Sequence, residues 1–225
     1  MNWRKAGLIT AVLLAAAAPA AYASSTPGSS PSNPITDPGE QTRPVTNIVI
    51  WWPDGQSETV PSDVTPRTRA DALRLAKDTV VARAVAEGRQ PVGTPANKSV
   101  RQMSSRSATK RRAASLEYGA TACTATLWYP WKPYSGTVAT DTYITCTEDV
   151  INIVDSLGLY RSQYWYRIGG AYGDVTRNWD YQYASGNCAS STWQYWSDLA
   201  WAVTSSVNGT LYGPYLTAGP SWISC

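Results

Sequence analysis

Residues 123–147 read CTATLWYPWKPYSGTVATDTYITCT. From Cys123 to Leu127 the apolar side chains fall on odd positions, and from Thr137 to Thr147 Val138, Ile144 and Cys146 fall on even ones. Alternation of period two marks a strand with one buried face. Between the runs, Lys132-Pro133-Tyr134-Ser135-Gly136 is turn chemistry. Pairing them symmetrically about Tyr134 and Ser135 sets Cys123 opposite Cys146, Ala125 opposite Ile144 and Trp131 opposite Val138. Those residues share a face, so the hydrophobic pattern and a Cys123–Cys146 crosslink require the same register. Pro130 objects. At a ladder position it cannot donate, and it predicts a bulge or an edge.

The same alternation continues downstream. Val150 to Tyr160 carries Ile151, Ile153, Leu157 and Leu159, with Gly158 as a kink; Tyr164 to Ile168 is a short aromatic strand closed by Gly169-Gly170. Val175 to Tyr183 sets aromatic residues on odd and polar residues on even positions. Trp193, Tyr195, Leu199, Trp201 and Val203 share a face, and Asn208-Gly209 is a hairpin turn. A last strand runs from Leu211 towards Cys225, broken at Gly213-Pro214 and Gly219-Pro220. Six to eight short strands over residues 119–225 predict an all-β domain. An antiparallel β-sandwich, immunoglobulin-like, or a small barrel fits this profile. Cys123, Cys146, Cys188 and Cys225 allow three pairings. Register favours 123–146 and exclusion leaves 188–225, with 146–188 as the rival.

Upstream, residues 1–23 have the form of a secretory signal. Arg4 and Lys5 precede an apolar run, and Ala21-Tyr22-Ala23 supplies the small residues before a cut after Ala23. An oxidising, extracellular address follows, which suits the even cysteine count. Residues 24–112 form a leader, largely disordered in composition at its Ser/Pro-rich start. It contains an apolar strand near 47–52 and a helix near 67–87. Thr65 or Thr68 is the N-cap, Leu73, Ala76, Val80 and Ala84 form a stripe, and Gly88 ends it. The narrow stripe predicts weak, detachable packing. Residues 98–112 are a basic linker whose Lys110-Arg111-Arg112 is a candidate processing site. There are 15 basic and 9 acidic side chains before residue 119, and 4 and 7 after it. That contrast is the one expected of a pro-segment and its mature body.

The chain has no histidine, which excludes Ser-His-Asp and Cys-His catalysis and His-ligated zinc. A net charge of +3 gives no case for nucleic acid, and no segment predicts stable membrane insertion. Residues 119–225 hold 8 Trp and 12 Tyr, and the chain has no Phe. Inward-facing rings build a core, yet every one of these rings carries a polar atom that seeks a partner or water. Trp196, opposite the expected core face, and Trp128 are the leading binding candidates, followed by Trp131 and Trp165 in their aromatic clusters. An enzyme would have to be a carboxylate-based hydrolase drawing on Asp141, Glu148, Asp149, Asp155, Asp174, Asp180 and Asp198, and no pair stands out. Asp174, Asn178 and Asp180 match no Ca²⁺ loop, so no metal or cofactor is expected.

The Ala-rich signal, the basic leader and the Cys123…Cys146…Cys188…Cys225 layout resemble small exported two-disulfide β-domain proteins of actinomycetes. The resemblance implies the fold and a bacterial, extracellular setting, and carries no functional residue across. The expected function is a secreted, non-enzymatic module that binds an extracellular glycan or protein through exposed Trp and Tyr. A toxin activated by leader cleavage is the alternative, and a protease inhibitor the third reading.

Overall fold

In a computed structural model, residues 44–92, 117–161 and 166–225 are described; Ala23, the Lys110-Arg111-Arg112 run and Trp165 lie outside them. Strands β3 (Thr121–Leu127) and β4 (Thr137–Cys146) pair with Cys123 opposite Cys146 and Ala125 opposite Ile144. The first disulfide joins Cys123 to Cys146 across this pair, and the second joins Cys188 to Cys225. Beyond Leu127 the ladder slips by one residue, and Trp131 meets Ala139 rather than Val138. The extra residue is the bulge that Pro130 requires.

Two antiparallel sheets result. The first has the order β2 (Ser57–Ser62), β1 (Val45–Trp51), β3, β4, β7 (Trp179–Asn187). The second runs β10 (Leu216–Ile223), β8 (Trp193–Ser205), β5 (Val150–Arg161), β6 (Tyr166–Val175), with β9 (Gly209–Tyr212) paired to β8. Two five-stranded sheets exceed the four-plus-three arrangement of an immunoglobulin constant domain. Leu127, Val138, Ile144, Ile153, Leu157, Tyr195, Leu199 and Val203 fill the space between them. Trp201 meets Trp51 edge-on at 5.9 Å and donates its indole N–H to the Pro214 carbonyl at 3.1 Å.

Three local expectations change. Ile151 is the residue at which the β5–β8 register shifts, so it points to solvent instead of joining the core. The alternating run from Val175 to Tyr183 divides between β6 and β7. Gly169-Gly170 does not close a strand, because β6 passes through both. A Cβ at Gly169 would strike the Ser185 carbonyl, and one at Gly186 would lie 2.5 Å from the Ile168 carbonyl oxygen. These glycines permit the close approach of β6 and β7 that closes one side of the sandwich.

The leader's strand and helix occur where the sequence places them, and both pack into the sandwich. β1 lies inside the first sheet, pairing with β3 from Val45–Leu127 to Trp51–Thr121. Val49 and Trp51 enter the core between the sheets, whereas Ile48 and Ile50 enter a second core beneath helix α1 (Arg69–Ala86). A strand buried on both sides reads as a continuous apolar run, which explains Ile48 to Trp52. The Thr68 side chain caps α1 by accepting from the Asp71 amide at 3.1 Å, and Gly88 takes φ 68° just past its end. Ala72, Ala76, Val80 and Ala84 form the buried stripe, with Leu73 only half-buried. Small side chains bring the helix close enough for the Thr124 hydroxyl to donate to the Ala72 carbonyl at 2.9 Å. Lys77, also buried, pairs with Glu148.

A polar node joins the sheets at one end. The Asp149 carboxylate accepts from Thr121 and, at 2.7 Å, from Ser205, whose oxygen also receives the Val207 amide at 3.1 Å. Asp149→Ala leaves buried hydroxyls without an acceptor, and stability is expected to fall by about 3 kcal/mol. The check is a lower urea midpoint at unchanged slope; an unaltered midpoint would show the node to be dispensable.

Candidate functional site

The three described Trp candidates are half-buried and lie on different sheets. Trp128 and Trp131 belong to the bulged arm of the first sheet. There the Trp128 carbonyl accepts from Thr140 at 2.7 Å and from Ser197 at 2.9 Å. Trp196 is on the outer face of the second sheet, as its alternation with Tyr195 and Ser197 predicts. It stands directly across from Tyr160 of β5. Residues that the sequence did not single out assemble around this pair.

The organising feature is glycine. Gly158 of β5 is cross-strand neighbour to Asp198 of β8 on one side and Gly170 of β6 on the other. A Cβ on Gly158 would fall 2.6 Å from both the ring and the hydroxyl of Tyr160, and closer still to the Asp198 carboxylate. The Tyr160 ring therefore lies flat along its own strand instead of standing away from it. A Cβ on Gly170 would meet the Arg167 guanidinium, which lies across that glycine and donates to the carbonyls of Gly169 at 3.3 Å and Leu157 at 3.4 Å. Gly158 makes room for this packing, and the β5–β6 register shifts just past it, between Leu159 and Tyr160. Gly219 of β10, at φ 133°, plays a similar part for Trp196: a Cβ there would lie 3.0 Å from the indole ring.

Asp198 is buried beneath these rings and accepts from the Tyr215 hydroxyl. Burial first, and then the negative charge of Asp198, raise the pKa of Tyr160 above that of a free phenol. Burial and the bond to Asp198 do the same for Tyr215. Both phenols are thus held as protonated donors, each turned toward one buried acceptor. The outward surface is a low platform of Trp196, Tyr160 and Tyr215 beside the cationic edge of Arg167, which has no ion-pair partner among the described residues. Such a surface offers apolar ring faces beside a guanidinium edge. It suits a ligand with alternating C–H and hydroxyl groups.

The other carboxylates lie away from this platform. Glu148 pairs with Lys77, Asp149 forms the node, and Asp174 accepts from Asn152 at 3.0 Å. Asp155 and Asp180 are buried inside the sandwich. Asn178 accepts from Arg69 at 2.9 Å and donates to the Cys146 carbonyl at 3.0 Å. Among the described residues no group of three His, Cys, Asp or Glu side chains could hold a metal ion. No helix there is long and apolar enough to cross a membrane. The sequence missed Tyr160, Gly158 and Tyr215 because the signal joins three strands that are distant in the chain. Gly158 in the middle of an apolar strand was the one local clue.

No family model, no curated protein and no solved structure matches the chain.

Proposed function

We propose that the protein is an exported, non-catalytic binding module that takes an extracellular glycan on the outer face of the second sheet. The observation that carries this reading is the flat Tyr160 ring beside Trp196, laid on Gly158 and fixed with Tyr215 over one buried carboxylate. Pre-positioned rings lose little entropy on binding, so modest contacts suffice for a polymer with repeated epitopes. Asp198 faces phenols rather than a second carboxylate, which favours recognition over hydrolysis. Export is supported by the signal-like residues 1–23 and by the two disulfides.

The test is retention on particles of chitin, cellulose and peptidoglycan. Trp196→Ala and Tyr215→Ala are each expected to weaken retention on the bound polymer about tenfold, equal to about 1.4 kcal/mol. Near-UV circular dichroism confirms that the variants remain folded. Wild type that passes unretained over all three particles removes the proposal.

A further inference from the structure

The outer face of the first sheet carries a second set of rings, whose side the sequence left open. On β7, Trp179, Tyr181 and Tyr183 point outward while Asp180 and Ala184 point in. Register explains the choice: Tyr181 lies across from Tyr143 and Tyr183 across from Asp141, the outward residues of β4, whereas Ile144 of the core faces Asp180. Helix α1 covers β1 and β3 on this same face and leaves Tyr181 and Tyr183 open, 36% and 40% exposed. The result is a ladder of three rings on alternate residues of one strand, about 6.6 Å apart from the strand rise.

Polar groups are interleaved with the ladder. The Arg177 guanidinium lies 3.7 Å from the Trp179 ring centroid and that of Arg69 5.5 Å from it, so this indole is clamped by two cations. Tyr143 packs against the same indole, with ring centroids 6.3 Å apart. Under the ladder, Asp141 accepts only a long 3.3 Å bond from the Tyr181 hydroxyl, and its other oxygen is buried with no partner. Two guanidinium groups beside three rings in line make a poor seat for an apolar helix. They suit an extended polyhydroxyl chain lying along β7.

We infer that the β4–β7 face is a second glycan-binding site, so that the module carries one site on each outer face and crosslinks polysaccharide. This rests on the glycan reading above, and it adds that each face acts independently. Sites on opposite faces cannot serve one rigid chain segment, so the expected consequence is bridging between polymer strands rather than tighter binding to one.

The experiment uses the full chain with particles of chitin, cellulose and peptidoglycan, scored for both retention and clumping. Trp196→Ala disables one face, Tyr181→Ala with Tyr183→Ala the other, and a triple variant both. Each single-face variant is expected to remain bound through its other face, with retention about tenfold weaker, as for Trp196→Ala above, and clumping lost; the triple variant is expected to wash off. Unchanged clumping by the Tyr181/Tyr183 variant overturns the second site while leaving the first. Loss of all retention by Trp196→Ala does so as well. If instead the Tyr181/Tyr183 variant loses all retention and Trp196→Ala loses none, the ladder stands alone, and both bivalency and the first-face reading fall. Wild type that is neither retained nor clumps particles removes both proposals.

Discussion

A chain beginning at Ala113 is expected not to fold by itself, and co-expression with a separate chain of residues 44–92 is expected to restore it. Without β1, strand β3 becomes the open edge of the first sheet, its seven residues from Thr121 to Leu127 left with β4 as their only strand neighbour. The sandwich core loses Val49 and Trp51, and the outer face loses Ile48, Ile50, Trp52 and all of α1. Each large apolar side chain buried contributes about 1.5–3 kcal/mol. Five of them together match the whole net stability of a typical domain, about 5–15 kcal/mol. Two disulfides cannot compensate, because they constrain the unfolded chain without covering exposed apolar surface. The measurement is amide dispersion by NMR for the short chain alone and for the co-expressed pair. A well-dispersed spectrum from the short chain alone would show that residues 44–92 only decorate an independent domain. If cutting occurs at Lys110-Arg111-Arg112, the expected product is a two-chain molecule rather than a liberated body.

The second large effect is a stability that falls as pH rises. Asp155 and Asp180 face each other inside the sandwich, 2% and 1% exposed. The space they use exists because residue 173 is glycine: a Cβ there would lie 2.5 Å from Asp155 Oδ1 and from Gln182 Nε2, and closer to Asp180 Oδ2. Asp180 is provided for, accepting from Gln182 at 2.7 Å and from Arg177 at 3.2 Å. Neither Asp155 oxygen has a well-formed bond. As a neutral acid Asp155 can donate to Asp180, whereas as a carboxylate it only repels it. Burial, followed by the Asp180 charge, pushes the Asp155 pKa up to about 7, and the Gly173 amide offsets part of this. An unfolded aspartate titrates near about 3.9, so between that pH and about 7 the folded protein holds the extra proton. The contribution of Asp155 is therefore complete below about pH 4 and is lost as the pH rises through about 7. Asp141 acts in the same direction, its pKa raised to about 6 by burial. Asp155→Asn keeps the shape and a donor toward Asp180 but cannot ionise. It is expected to flatten the profile and to exceed wild type in urea midpoint at pH 8, with no gain at pH 4.5. Parallel profiles for the two proteins would show that Asp155 does not carry the proton.

The hairpin was legible residue by residue. Alternation, turn residues and the Cys123–Cys146 register all concern neighbours along or across one pair of strands, and even the slip at Pro130 follows from a missing amide. The capped helix at Arg69–Ala86 was legible for the same reason, whereas the Cys188–Cys225 link followed by exclusion once Cys123 and Cys146 were paired. The strength of the leader's attachment was not. A run such as Ile48 to Trp52 shows that both faces are apolar, but not which two surfaces will cover them. The platform around Trp196 was half legible: its outward side followed from alternation, while Tyr160, Gly158 and Tyr215 come together only through β5–β8 pairing and the turn before β10.

From its own residues, then, this chain is specified as short paired strands with two crosslinks and one capped helix, since strand period, turns and caps act over a few bonds or one ladder. Packing between remote segments chose which side of each strand would be dry. On β7 a period of two is equally regular on both faces, and local pattern left the side of the rings open. The second sheet set Asp180 against Asp155 inside and left Trp179, Tyr181 and Tyr183 to the surface.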